Sequence, residues 1–138
     1  MIVKGGPGTR KSVIALKLVG ELSGAGYNTQ HATGSRAFTG NIQKLVGSRA
    51  SKQFRYFNGY VEAEKNEIDV LVCDEAHRIR STSWNRYQPS RKSCKTQVEE
   101  LIVAAKVSVF LLDDLRSFVL GKSSASGQGS PYDYGMRY

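Results

Sequence analysis

Two short stretches carry side chains whose types and spacing can do chemistry. Gly5-Gly6-Pro7-Gly8-Thr9-Arg10-Lys11-Ser12 suits the phosphate-loop pattern G-x-x-x-x-G-K-[ST] at seven of its eight positions. Small residues let a backbone curl so that successive N–H groups point inward at phosphate oxygens. A helix that starts there adds the positive end of its dipole. Lys11 would reach the β/γ-phosphates of a nucleotide, and the Ser12 hydroxyl would bind Mg²⁺. The alternative is a Gly-rich strand-to-helix turn that holds nothing. Position 10 departs from the pattern, because Arg10 stands where a glycine is usual. A side chain there either crowds the phosphates or swings outward.

The second stretch is Val70-Leu71-Val72-Cys73-Asp74-Glu75-Ala76-His77, an apolar run that ends in two carboxylates. In an open α/β sheet, ligands gather beyond the carboxyl ends of the strands. Asp74 is therefore expected to face the 5–12 loop and hold Mg²⁺ through water, while Glu75 orients and deprotonates the water that attacks a γ-phosphate. The competing reading is a pair of surface acids. His77 either couples the site to a neighbouring element or caps the strand end.

These groups need strands and helices to position them. Met1–Lys4 reads as a clipped strand, and Lys11–Leu22 as a helix with Ile14, Leu18 and Leu22 in an i, i+4, i+8 stripe ended by Gly24 and Gly26. Tyr27–Ala32 is a weak strand followed by a Thr33-Gly34-Ser35 turn. Phe38, Ile42, Leu45 and Val46 mark a second helix closed by Gly47, and Phe54–Phe57 a short strand. Ile68–Cys73 is the near-continuous apolar run of a strand buried on both faces. Val98, Leu101, Ile102 and Ala105 form a third helical stripe before the strand Val107–Leu112. The alternation predicts an α/β layer fold with a mainly parallel sheet.

The 138 residues suit one domain, residues 1–120, followed by a Gly/Ser-rich tail over 121–138. No apolar run approaches the roughly 18–20 residues that span a bilayer, and Met1-Ile2-Val3-Lys4 leaves no room for a signal peptide ahead of the loop. Membrane and secreted classes are disfavoured. Cys73 reads as a small core residue and Cys94 as a free thiol, which suits a reduced, cytoplasmic setting. The net charge of +8 favours an anionic partner, though charge also serves solubility. Residues 1–65 carry ten Lys/Arg against three acids, and six more cations follow between Glu75 and Glu99. Trp84 and Tyr87 lie among those six. Aromatic faces among cations suit single-stranded nucleic acid; a solvated loop balancing nearby acids is the equal alternative.

Taken together, the loop and Asp74-Glu75-Ala76-His77 resemble the first RecA-like domain of superfamily-one helicases. The match narrows with His31-Ala32-Thr33-Gly34-Ser35-Arg36-Ala37-Phe38, Asp74-Glu75-Ala76-His77-Arg78-Ile79-Arg80 and Val109-Phe110-Leu111-Leu112-Asp113-Asp114-Leu115. These motifs look like the Schlafen-group helicase-like P-loop ATPases in their bacterial form, over about Val3 to Val119. The resemblance implies a three-layer, RecA-like P-loop NTPase fold that uses ATP and Mg²⁺ and acts on DNA or RNA. It implies a nucleic-acid backbone contact at Thr33, Gly34, Ser35 and Arg36, for which an ordinary turn capped by Ser35 is the alternative. It places Asp113 beside the nucleotide in the third motif, where relatives continue to a Gln that senses the γ-phosphate. That position is Arg116, which cannot accept a hydrogen bond as Gln does.

A motor of this type sets ATP between two RecA-like domains, the second supplying an arginine finger. After Leu120 the expectation is a tail too short for that domain, so the chain reads as a half-motor needing a second RecA-like domain or other partner. The first function is a helicase-like ATPase domain. Arg10 and Arg116 motivate an alternative, a degenerate P-loop module that binds nucleotide or nucleic acid and hydrolyses little. A kinase-like phosphotransferase is disfavoured, since Asp74-Glu75-Ala76-His77 fits water activation better than a hydroxyl acceptor.

Overall fold

The computed structural model describes residues 1–83 and 95–113. Trp84, Tyr87, Cys94, Asp114, Arg116, the boundary at residue 120 and the 121–138 tail lie outside the described residues. Five strands and three helices alternate: β1 (Ile2–Gly5), α1 (Lys11–Gly24), β2 (Thr29–Thr33), α2 (Arg36–Ser51), β3 (Phe54–Tyr56), β4 (Ile68–Asp74), α3 (Gln97–Ala104) and β5 (Ala105–Asp113). Short 3-10 turns cover Phe57–Tyr60 and Ala76–Arg78. The sheet has the order β1-β5-β4-β2-β3, and every pairing in it is parallel. No helix among the described residues is long and apolar enough to cross a membrane.

The strand order fixes the layers. β1 to β2 and β2 to β3 step one way across the sheet, whereas β4 to β5 steps back. Right-handed crossovers then put α1 and α2 on one face and α3 on the other. The two-residue period of β4 feeds both sides. Val72 packs with Ala15, Val19, Val109 and Leu111 under α1. Leu71 and Cys73 pack with Ala32, Phe57, Tyr60, Leu101 and Ala104 under α3. This double burial is why residues 68–73 read as a continuous apolar run. Burial also pushes the Cys73 thiol well above its ordinary pKa, so it acts as a small core residue.

The α1 stripe differs from its sequence expectation. Ala15 and Val19 face the sheet, while Ile14 is 58% exposed and Leu22 only half-buried. Hydrophobicity alone picks the larger side chains, but an alanine lets the helix approach the strands closely. In α2, Gly47 takes φ 77°, ψ 170° and breaks the helical path inside the element, so the glycine interrupts rather than ends it. β5 begins at Ala105, two residues earlier than the apolar run suggests, directly at the end of α3.

α3 is started by a capping box: Thr96 accepts from the Glu99 N–H, and Glu99 accepts from the Thr96 N–H. Its first turn joins a buried polar cluster. Gln97 accepts from the Arg80 N–H at 2.8 Å and donates to Asn58 at 2.7 Å and to Ser83 at 3.0 Å. Ser83 in turn donates to Glu100 at 2.5 Å. The chain leaving the Asp74 end of β4 is thereby tied to α3.

The rotated stripe gives a direct test. Ile14→Ala should change stability by no more than about 0.5 kcal/mol, as surface changes do. Ala15→Leu should cost about 1–3 kcal/mol through overpacking against Val72 and Leu111. Urea unfolding followed by circular dichroism distinguishes the two; equal effects would contradict this packing.

Candidate functional site

The carboxyl ends of β1, β4 and β5 meet at one cleft of ≈ 310 Å³, bordered by residues 7–13, Asp74, Glu75, His77, Leu111 and Asp113. Register explains the convergence. β5 lies between β1 and β4, with Gly5 paired to Asp113, so Asp113 stands beside the start of the loop. Asp74, which ends β4, completes the opposite wall. The structure thus brings Pro7, Gly8, Thr9, Arg10, Lys11, Ser12, Asp74, Glu75 and Asp113 to one place, with Gly5 and Gly6 forming the base of the loop.

The loop curls around its own lysine. Lys11 Nζ donates to the carbonyls of Gly5 at 2.7 Å and Gly6 at 2.6 Å, and to Thr9 Oγ1 at 3.2 Å. The Thr9 hydroxyl donates to Gly6 O at 2.8 Å. A Cβ on Gly5 would lie 3.0 Å from Thr9 Oγ1, so a side chain at that bend would have to push the Thr9 hydroxyl aside. Arg10 precedes α1 with φ 57° and ψ 32°, a left-handed conformation that favours glycine. Its side chain is exposed at the rim of the cleft. The strain at this position falls on the backbone.

Asp74 is buried, and burial by itself would raise its pKa. The net shift is downward, because His31, the Ser12 hydroxyl and the backbone N–H of Glu75 favour the charged form. The Glu75 N–H donates to Asp74 Oδ1 at 2.9 Å. His31 Nε2 stands 3.8 Å from Oδ2, too far for a hydrogen bond, so its influence is electrostatic. The imidazole is buried, with the Phe38 and Phe54 rings each 5.6 Å away. Sequence reasoning gave His31 no role of its own. The available signal was its two-residue spacing from Thr33, which shares its face of β2 and pairs in register with Asp74. That signal becomes readable only once β2 and β4 are known to be neighbours.

Glu75 also takes a left-handed conformation, φ 51° and ψ 43°. Its Oε2 is shielded from solvent and faces Arg78 Nε at 3.1 Å as an ion pair, without hydrogen-bond alignment. Asp113 Oδ1 is buried and has no hydrogen-bond partner among the described residues. A buried carboxylate oxygen left open at a cleft is a receptor for a donor, such as bound water. Among the described residues no three His, Cys, Asp or Glu side chains converge as a metal cage. Ser12 beside Asp74 instead suits a hard cation that draws most of its ligands from water and phosphate.

The Thr33–Arg36 segment lies beyond β2. Thr33 is buried, and its hydroxyl accepts from the Ser35 N–H at 3.3 Å. Ser35 caps α2, accepting from the Phe38 N–H at 3.3 Å. Gly34 and Ser35 are half-buried, while Arg36 is exposed and lies over the Tyr56 ring at 5.1 Å.

A three-layer α/β fold on an all-parallel sheet, with a lysine-bearing loop facing an acidic strand end, is RecA-like in architecture. The chain belongs to the Schlafen group 3 DNA/RNA helicase domain family, whose model matches residues 1–127. No curated protein and no solved structure matches it.

The left-handed Arg10 makes a measurable prediction. Relief of about 1–2 kcal/mol of backbone strain opposes about 0.5–1 kcal/mol of added unfolded-chain freedom when glycine is introduced. Arg10→Gly should therefore leave stability unchanged or raise it by up to about 1.5 kcal/mol in denaturant unfolding. A loss above 1 kcal/mol would show that the arginine side chain supports the loop.

Proposed function

We propose that this domain binds ATP with Mg²⁺ in the cleft between the 5–12 loop and the ends of β4 and β5, and that it hydrolyses ATP in work on DNA or RNA. The observation that carries this reading is the convergence of Lys11, Ser12, Asp74, Glu75 and Asp113 on one cleft, drawn from the start of α1 and from the ends of β4 and β5, far apart in sequence. Lys11 would exchange its carbonyl partners for β/γ-phosphate oxygens, leaving the loop's curl to its backbone. Ser12 and Asp74 would hold Mg²⁺, which when bound neutralises charge on the β- and γ-phosphates. Glu75 would accept a proton from the water whose oxygen attacks the γ-phosphorus, while the bond to the β-phosphate oxygen breaks and ADP leaves. Asp113 would position water beside the phosphates. A second RecA-like domain or another partner would supply an arginine finger. The family supports nucleic acid as the surface on which the work is done.

A second reading, nucleotide binding with little turnover, is favoured by Arg10. A cation at the rim can pair with phosphate. Yet a displacement of about 1 Å at the γ-phosphate can cost on the order of 10²-fold in rate.

Three substitutions divide these readings. Lys11→Ala should remove the thermal shift that Mg-ATP gives the wild type, without loss of fold; equal shifts would reject the nucleotide site. Glu75→Gln should keep that shift while hydrolysis falls by about 10²–10⁴-fold, the usual worth of a positioned base. Arg10→Gly should raise turnover more than affinity, and unchanged or reduced turnover would make Arg10 a working part of the site.

A further inference from the structure

The ion pair at Glu75 links two places that the preceding reading treats separately. Arg78 is half-exposed, and its Nε faces Glu75 Oε2 at 3.1 Å. The same side chain lies against Gly34, where an added Cβ would come within 2.6 Å of Arg78 Cβ and 3.1 Å of its Cδ. Gly34 belongs to the half-buried backbone between β2 and α2, one residue before the cap of α2 and two before exposed Arg36. Arg78 is thus placed between the candidate base and the candidate nucleic-acid loop. The backbone at Glu75 is held in a left-handed conformation that a glutamate rarely adopts, and such strained residues cluster at active sites and switch regions.

We propose that Arg78 is a positioning residue that couples the two sites, a step that rests on the nucleic-acid reading above. Paired with Arg78, the Glu75 carboxylate is committed to a guanidinium and is not free to order the attacking water. A backbone phosphate arriving at Gly34–Arg36 competes for the same guanidinium, because planar N–H donors match phosphate oxygens as well as carboxylate. Once Arg78 turns to the phosphate, Glu75 is released toward the cleft. Nucleic acid would thereby switch on hydrolysis without touching the nucleotide. By linkage, loss of the Glu75 charge must strengthen nucleic-acid binding to the same extent that Glu75 weakened it.

The test uses the full chain and fluorescein-labelled single-stranded DNA and RNA oligonucleotides, with affinity read by anisotropy in the absence of ATP. Glu75→Gln should bind about two- to fivefold tighter than wild type, the effect expected of a half-exposed ion pair. That gain should vanish in an Arg78→Ala background, and Arg78→Ala alone should bind more weakly than wild type. In ATPase assays, Arg78→Ala should raise the basal rate and flatten its response to oligonucleotide. Equal affinities for wild type and Glu75→Gln, or the same gain with and without Arg78, would overturn the coupling. Absence of oligonucleotide binding by the wild type would instead overturn the nucleic-acid reading on which it rests.

Discussion

A carboxylate taken out of water stays charged only where its neighbours favour the ionised form, and much of the site can be read as the set of such neighbours around Asp74. The residue ends the central strand β4, where the sheet buries it. Each neighbour that favours its ionised form comes from a different element: His31 from β2, Ser12 from α1, and the N–H of Glu75 from the turn after β4. The parallel strand order, with β5 between β1 and β4, is what brings the loop-bearing helix within reach. Moving any one of these elements would leave a buried charge poorly compensated, which is expensive in a low-dielectric setting. The convergence of loop, helix start and strand ends at the cleft is, in this sense, also the geometry that lets β4 end in an aspartate.

Arg10 and Lys11 show how little sequence distance separates a constraint from its exception. Lys11 satisfies its ammonium with carbonyls of its own loop and so holds the curl ready for an anion. One residue earlier, an arginine occupies a backbone conformation suited to glycine, and its side chain is exposed. The loop therefore keeps its shape at a local energetic cost instead of opening to relieve it. Left-handed Glu75 repeats the arrangement across the cleft. Strain on both walls, with an ordered core beneath, is the pattern expected where chemistry rather than stability sets the backbone.

Much of the fold was legible because its signals are local. The apolar run of Ile68–Cys73, the glycine loop before Lys11 and the turn after β2 each identify an element without reference to the others. The acidic strand end could be paired with the loop because parallel sheets gather ligands at their carboxyl ends. What could not be read depends on neighbours distant in sequence. The inward face of α1 turns on Ala15, a residue that hydropathy patterns pass over. His31 acquires significance only from the β2–β4 register, and Arg78 only from its contact with Gly34. Thr33 matches a segment expected to meet nucleic acid, yet its side chain is buried and its hydroxyl serves the turn itself by accepting from the Ser35 N–H.

The buried cluster joining Ser83 to Gln97 and Glu100 has a consequence for how this domain can vary. The bond between Ser83 and Gln97 brings together two points 14 residues apart in the chain. Whatever sequence runs between them starts and finishes at the same buried knot. The entropy of closing such a loop grows only with the logarithm of its length, about 0.6 kcal/mol for each doubling. Insertions or replacements in this interval can therefore be absorbed without disturbing β4 or α3. The interval carries Trp84, Tyr87 and four of the basic residues, Arg86, Arg91, Lys92 and Lys95. Variation confined to this interval leaves the described residues on either side anchored by the same bonds, Gln97 to Ser83 and to the Arg80 N–H.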